Sequence, residues 1–206
     1  MYLRDLAAKI IALFIKNLEY IGSRWQGFAS LYQHLFYKRM IEKELWLSNL
    51  KPGMKILHLG CGPVPFTSIF LAQKGYIVEA VDKDNEAIQR AKTVIGKNGL
   101  DNKIKIRQAE GSNIDCSDYD AVWVSFYVSP RRECVQQILS TIKDGGVVIY
   151  RNSRGWLTRL YQPVNSDQFD QNREVKRVKQ RVGKESVIIL NNCQSKGLEQ
   201  KTLVQV

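Results

Sequence analysis

The sequence predicts an α/β domain: a doubly wound, seven-stranded, mostly parallel sheet under an N-terminal helical cap. Three observations predict it. Apolar strand-like runs alternate with helical stretches from Lys51 onward, the pattern of a parallel sheet with right-handed crossovers. A Gly/Pro-rich turn, Gly60 to Pro65, follows the first run, and an acidic residue, Asp82, ends the second. The length of 206 residues suits one domain with a buried core, and 44% hydrophobic and 25% charged residues is a globular balance.

Residues 1–50 contain no proline and read as helical. Leu3, Leu6, Ala7, Ile10, Phe14 and Leu18 recur at helical spacing, with Arg4, Lys9 and Lys16 among the polar positions. A second helical stretch, Trp25 to Leu47, is rich in aromatics: Trp25, Phe28, Tyr32, Phe36, Tyr37 and Trp46. Such a stripe either packs on the next layer or forms a lid over a substrate. Lys51-Pro52-Gly53 breaks the helix, and MKILHL then reads as a fully buried strand. A short helix, Phe66 to Lys74, follows the glycine turn. YIVEAVD is the second strand, and Asp84 caps a helix from Asn85 to Lys97 that Asn98-Gly99 stops. KIKIRQA and DAVWVSF are the third and fourth strands.

Val135, Ile138, Leu139 and Ile142 form a helical stripe between Arg131 and Ile142, with Ser129 as its cap and Pro130 in the first turn. GGVVIYR is the fifth strand. Val175, Val178 and Val182 are spaced as on a helix, yet SVIIL is strand-like and Gly183-Lys184 separates them as a turn does. Two final strands, one antiparallel, complete the sheet. The organisation is thus a cap over 1–50, a sheet domain over 51–194 and a weakly structured tail over 195–206.

Lys and Arg number 31 against 20 Asp and Glu, a formal charge of +11. Nucleic acid, an anionic membrane or an acidic substrate would each suit that charge, as would an ordinary solvated surface. The cluster Arg173, Lys176, Arg177, Lys179, Arg181 and Lys184 suits a charged edge strand better than an RNA surface. Cys61, Cys116, Cys134 and Cys193 are far apart, and His34 and His58 are the sole histidines, which argues against a metal site. Free thiols fit a reducing compartment, and no run reaches the length of a membrane span, so the expected location is cytoplasmic. A basic amphipathic first helix on a membrane surface and a homodimer are further partner options.

In such a sheet, ligands bind beyond the carboxyl ends of the strands. Gly60 and Gly62 allow close backbone approach there, and Cys61 and Pro63 complete the turn. Pro65, three places after Gly62, departs from the GxGxxG of pyrophosphate sites. Asp82, twenty residues beyond Gly62, is placed to accept both hydroxyls of a ribose, with Lys83 beside it. Ala109 and Glu110 end the third strand, where an adenine ring would lie. Phe126 and Tyr127 end the fourth over the same cleft. His58 lies inside a strand and reads as a packed residue; Cys61 has no base beside it to make it a nucleophile.

KILHLGCG, VEAVDKD, IRQAEG and YDAVWVSF together resemble the cofactor half of class I S-adenosylmethionine-dependent methyltransferases, a Rossmann-like fold. GCGPVPFTSIFLA goes further: its Gly-x-Gly-Pro-x-Pro-x-Thr-Ser pattern resembles the nicotianamine synthase family. LYQHLFYKRMIEKELWL resembles that family's tyrosine-rich segment, VVIYRNSRGWLTRLYQPV its Arg-Ser and Leu-Tyr-Pro segment, and ESVIIL its last strand. The likeness spans about residues 31–192.

The resemblance implies S-adenosyl-L-methionine against Gly60, Cys61 and Gly62, with Asp82 on the ribose and Glu110 near the adenine. It puts Tyr37 on a tyrosine at the reaction centre and Arg151 and Tyr161 on positions lining the cleft. The implied reaction moves an aminocarboxypropyl group to the amine of an amino-acid-like small molecule; methyl transfer to a small molecule, or less readily to RNA, is the alternative. The family's catalytic glutamate precedes its tyrosine-rich segment, and the nearest acid here is Glu19. An amine nucleophile must be positioned and kept unprotonated, for which Tyr37, Glu19, Tyr127 and His34 are the candidates. Trp25, Tyr32 and Phe126 are candidate aromatic walls for a sulfonium.

Overall fold

The seven strands lie in the order β3-β2-β1-β4-β5-β7-β6, and the chain winds to both sides of β1 before it turns back at the end. The computed structural model describes residues 28–169, 173–180 and 183–191, with backbone alone for 28–36. Glu19, Trp25, Arg181, Val182, Cys193 and the tail, together with the side chains of Tyr32 and His34, lie outside the described residues. The strands are β1 Lys55–Leu59, β2 Ile77–Asp82, β3 Ile104–Gln108, β4 Ala121–Val124, β5 Val147–Ser153, β6 Glu174–Lys179 and β7 Lys184–Leu190. The helices are α1 Phe28–Ser48, α2 Phe66–Gln73, α3 Asn85–Lys97 and α4 Arg131–Thr141.

β1 to β5 pair in parallel, and β7 runs antiparallel to both β5 and β6. The register Leu59↔Val81 and Leu59↔Val124 aligns the carboxyl ends of β1, β2 and β4. Successive residues of each central strand feed opposite cores. Ile56, Val78, Ala80, Trp123 and Ile149 join a buried cluster with Met40 and Ile41 of α1, residues of α2, and Ile88 and Ile95 of α3. Leu57, Val81, Val122, Val124, Val148 and Tyr150 join the other, with Val135, Ile138 and Leu139 of α4. Burial on both faces explains why these strands read as unbroken apolar runs. Because Met40 and Ile41 share the sheet's core, α1 is a layer of this domain.

The ends of α3 follow local rules. The Asp84 carboxylate accepts from the Glu86 N–H at 2.8 Å. At the other end Leu100 N–H reaches the Ile95 carbonyl and Gly99 N–H the Gly96 carbonyl, with Gly99 at φ +64. The start of α4 differs from expectation. Pro130 itself occupies the capping position, after a cis Ser129-Pro130 bond, and no side chain caps the helix. Val175 and Val178, despite helical spacing, lie on β6 opposite Ile189 and Ser186, because ladder pairing with β7 outweighs spacing over so few residues.

Candidate active site

The turn after β1 is built for close approach. Gly60 and Gly62 have φ of +71 and +66, and the N–H groups of Gly60 and Cys61 donate to the Val81 carbonyl at 2.8 and 3.1 Å. A Cβ at Gly60 would stand 2.5 Å from Val128 Cγ2, so the loop after β4 presses on the turn from one side. A Cβ at Gly62 would meet nothing within 4 Å. That open side is where a ligand can touch backbone.

Asp82 clamps the turn. Its Oδ2 accepts the Gly62 N–H at 2.9 Å and its Oδ1 the Asp84 N–H at 3.1 Å. A carboxylate offers about four lone-pair sites, so two such bonds leave capacity for two hydroxyls. Lys83 and Glu110 are exposed beside it and Ala109 half-buried, its N–H on the Asp82 carbonyl at 3.0 Å. Cys61 is buried, and burial, with the Asp82 charge adding, pushes its thiol up to about 12. It stays protonated, so it is a packed neighbour of the turn rather than a nucleophile. Open backbone at Gly62, spare acceptors on Asp82 and no thiolate beside them suit an adenosine-bearing sulfonium.

Tyr37 lies where α1 crosses the start of α2. Its ring stacks on Phe66 at 6.0 Å, and the Arg151 guanidinium stands 5.7 Å from its centroid. Arg151 does not face an open cleft. It is 6% exposed, and it donates to Glu44 at 3.3 Å and to Thr67 at 3.2 Å. Glu44, wholly buried, also accepts from Trp123 Nε1 at 2.9 Å and from Ser186 at 2.5 Å. This carboxylate was missed in the sequence. A detectable signal existed: Met40, Ile41, Glu44 and Ser48 form one buried stripe, and an acid on an apolar helical stripe calls for a buried partner.

Tyr127 and Tyr161 come together with Phe126 at the carboxyl end of β4, with ring centroids 5.0 to 6.0 Å apart. Phe126 is covered in that cluster at 4% exposure, while Tyr127 is 46% exposed. Packing beneath the tyrosines and the neighbouring cations thus takes up the Phe126 ring that was expected to wall the cofactor. His58 hydrogen-bonds Ser68 at 2.7 Å and Ser125 at 2.9 Å, and burial, reinforced by Arg151, lowers its pKa to about 3. It is a neutral bridge between α2 and the end of β4. Asp120 lies at the opposite edge, binding the Lys55 N–H and Lys143 at 2.7 Å each. On β6, Arg177 pairs with Glu185 at 3.5 Å and Lys176 with Glu174 at 3.1 Å, the balanced charge of a strand edge.

Comparison with known proteins bears on the fold and the family. The sequence model for "Nicotianamine synthase protein" matches residues 22–195. The crystal structure of MtNAS in complex with MTA and tNA superposes with a TM-score of 0.69 at 25% identity, over 82% of this chain and 64% of that one. A point mutant of MtNAS in complex with S-adenosylmethionine gives 0.69 at 25% identity, over 82% of this chain and 67% of that one. Ribosomal protein L11 methyltransferase of Thermosipho africanus (strain TCF52B) is 31% identical over 101 residues, 48% of this chain and 38% of its own length. The chain therefore spans about two thirds of MtNAS and well under half of that methyltransferase. With the family pattern matched over most of its length and the same fold beneath it, this chain belongs to the nicotianamine synthase family.

Proposed function

We propose that the protein is an S-adenosylmethionine-dependent transferase that moves an aminocarboxypropyl group to the amine of an amino-acid-like small molecule. The Gly60–Gly62 turn clamped by Asp82 supports the cofactor and is common ground for methyl and aminocarboxypropyl transfer. The observation that carries the choice is Tyr37 stacked on Phe66 at the head of α2, beside that turn. When bound, S-adenosylmethionine supplies a sulfonium whose methyl and aminocarboxypropyl carbons are both open to attack. The protein's work is then to hold one carbon in line with an amine and to keep the amine unprotonated. Asp82 holds the ribose, Gly60, Cys61, Gly62 and Pro63 cradle the cofactor by backbone, and Lys83, Ala109 and Glu110 rim it. Tyr37 orients the amine; Tyr127 and Tyr161 line its approach, and Arg151 steadies Tyr37 from below.

Incubation with S-adenosylmethionine and pooled amino acids tests this, with the nucleoside read by mass spectrometry. Enzyme-dependent methylthioadenosine is expected, and Tyr37→Phe should cut turnover about tenfold or more while leaving cofactor affinity intact. S-adenosylhomocysteine as the product would establish the second reading, methyl transfer to a small molecule, which the methyltransferase relative favours. The three described cysteines are free thiols, and no described helix is long and apolar enough to cross a membrane, which supports a cytoplasmic enzyme.

A further inference from the structure

A cavity of about 240 Å³ opens beside α4. Arg132, Gln136 and Ser140 line it from that helix, at the four-residue spacing that puts side chains on one face. Gln168 and Arg173 line it from the chain between β5 and β6, and Leu139 and Phe169 are its apolar part. None of these residues belongs to the Gly60–Gly62 turn or to its rim at Asp82, Lys83, Ala109 and Glu110. The side chains around the cavity carry two positive charges and no negative one. Nearby acids are engaged elsewhere: Asp167 with Arg177 at 3.8 Å and Glu174 with Lys176 at 3.1 Å. Glu133 follows Arg132 in sequence, but adjacent residues of a helix do not face each other.

Arg173 is half-buried and held in place. Its terminal nitrogens donate to the main-chain carbonyls of Phe169 at 3.2 Å and Leu139 at 3.4 Å, the second an orphan carbonyl in the last turn of α4. Two of its five N–H groups are so used, which leaves a fixed guanidinium with donors to spare. Arg132 is exposed and meets no acceptor among the described residues. The carboxamides of Gln136 and Gln168 and the Ser140 hydroxyl add neutral donors. Guanidinium forks match a phosphate group, and a phosphate monoester carries nearly two negative charges near neutral pH, as much as two arginines neutralise. Leu139 and Phe169 offer nothing to a bare ion, but they cover the organic part of an ester. The cavity is a little smaller than common small-molecule sites of about 300–1,000 Å³, which limits that part to about one ring.

We propose that this cavity binds a small phosphate monoester, its phosphate held by Arg132 and Arg173 and its organic part by Leu139 and Phe169, as a second ligand separate from the cofactor. The site does not depend on which group the cofactor gives up.

The test is calorimetric titration of the full chain with phenyl phosphate, inorganic phosphate and phenyl sulfate, the last having the same shape with a single charge. Phenyl phosphate should bind about tenfold or more tighter than either of the others. Arg132→Gln should weaken it about tenfold or more. That variant should keep its thermal midpoint, because Arg132 is exposed and bonds to no described residue. Saturating S-adenosylmethionine should leave the affinity for phenyl phosphate unchanged. No binding, equal binding of inorganic phosphate or phenyl sulfate, wild-type affinity in Arg132→Gln, or displacement by S-adenosylmethionine would each overturn the proposal. Failure of S-adenosylmethionine itself to bind would sink the cofactor reading and leave the phosphate site standing on the other titrations.

Discussion

The two halves of the sheet are held together by different means. On the β1–β2–β3 side, the turn is made from backbone: two glycines at positive φ, and a carboxylate that closes on Gly62 from 20 residues away. On the β4–β5–β7 side, the framework is made from side chains gathered across the chain. Glu44 meets Trp123 at a separation of 79 residues, Arg151 at 107 and Ser186 at 142. A backbone cradle serves any ligand sharing the cofactor's adenosine. The side-chain assembly, closed around the wholly buried Glu44, instead pins α1 against β4, β5 and β7. The glycine turn is therefore set by local contacts, and the anchoring of α1 by long-range ones.

The largest break in that comparison is Glu44→Ala. It leaves the Arg151 guanidinium buried without its counter-charge, at a cost of about 3–5 kcal/mol to stability by urea denaturation. A loss below 1 kcal/mol would mean that α1 is not pinned through this pair. Asp82→Ala should act on the other half and on a different observable. Cofactor affinity should fall by about 1.5–3 kcal/mol, roughly 10- to 150-fold, by calorimetry. Wild-type affinity in that variant would remove Asp82 from the ribose.

His58 sharpens the comparison, because it bridges the halves through Ser68 and Ser125. Its folded pKa, about 3, lies below the ordinary 6.5. Between those values the unfolded chain binds the extra proton, so stability falls as pH falls. From pH 7.5 to pH 5 the loss from this group is about 2 kcal/mol, at about 1.4 kcal/mol per pH unit below 6.5. In His58→Gln that share of the slope should vanish; a slope equal to wild type would show that His58 is not buried neutral. Glu79, which burial pushes up but Arg107 and Tyr119 pull down further, adds its loss only at lower pH, through the carboxylate range.

Much of this was legible in the residues because it is local. Asp84 and Asn98-Gly99 bound α3 as their side-chain and backbone chemistry requires, and the unbroken apolar runs marked strands covered on both faces. The start of α4 was less legible: Ser129-Pro130 looks like a cap followed by a first-turn proline, yet Pro130 takes the capping place. Glu44 was passed over because its partners are spread across the chain, and no spacing rule links them.

The sequence alone determined the alternation of elements, the glycine turn and Asp82 above it, since each depends on neighbours within one crossover. Only the tertiary structure decided that Arg151 faces Glu44 instead of an open cleft, and that Arg131 and Lys184 meet on Phe126. The physical reason is that charge pairing and ring packing depend on distance in space. Residues on different strands and helices acquire that distance only when the sheet closes around them.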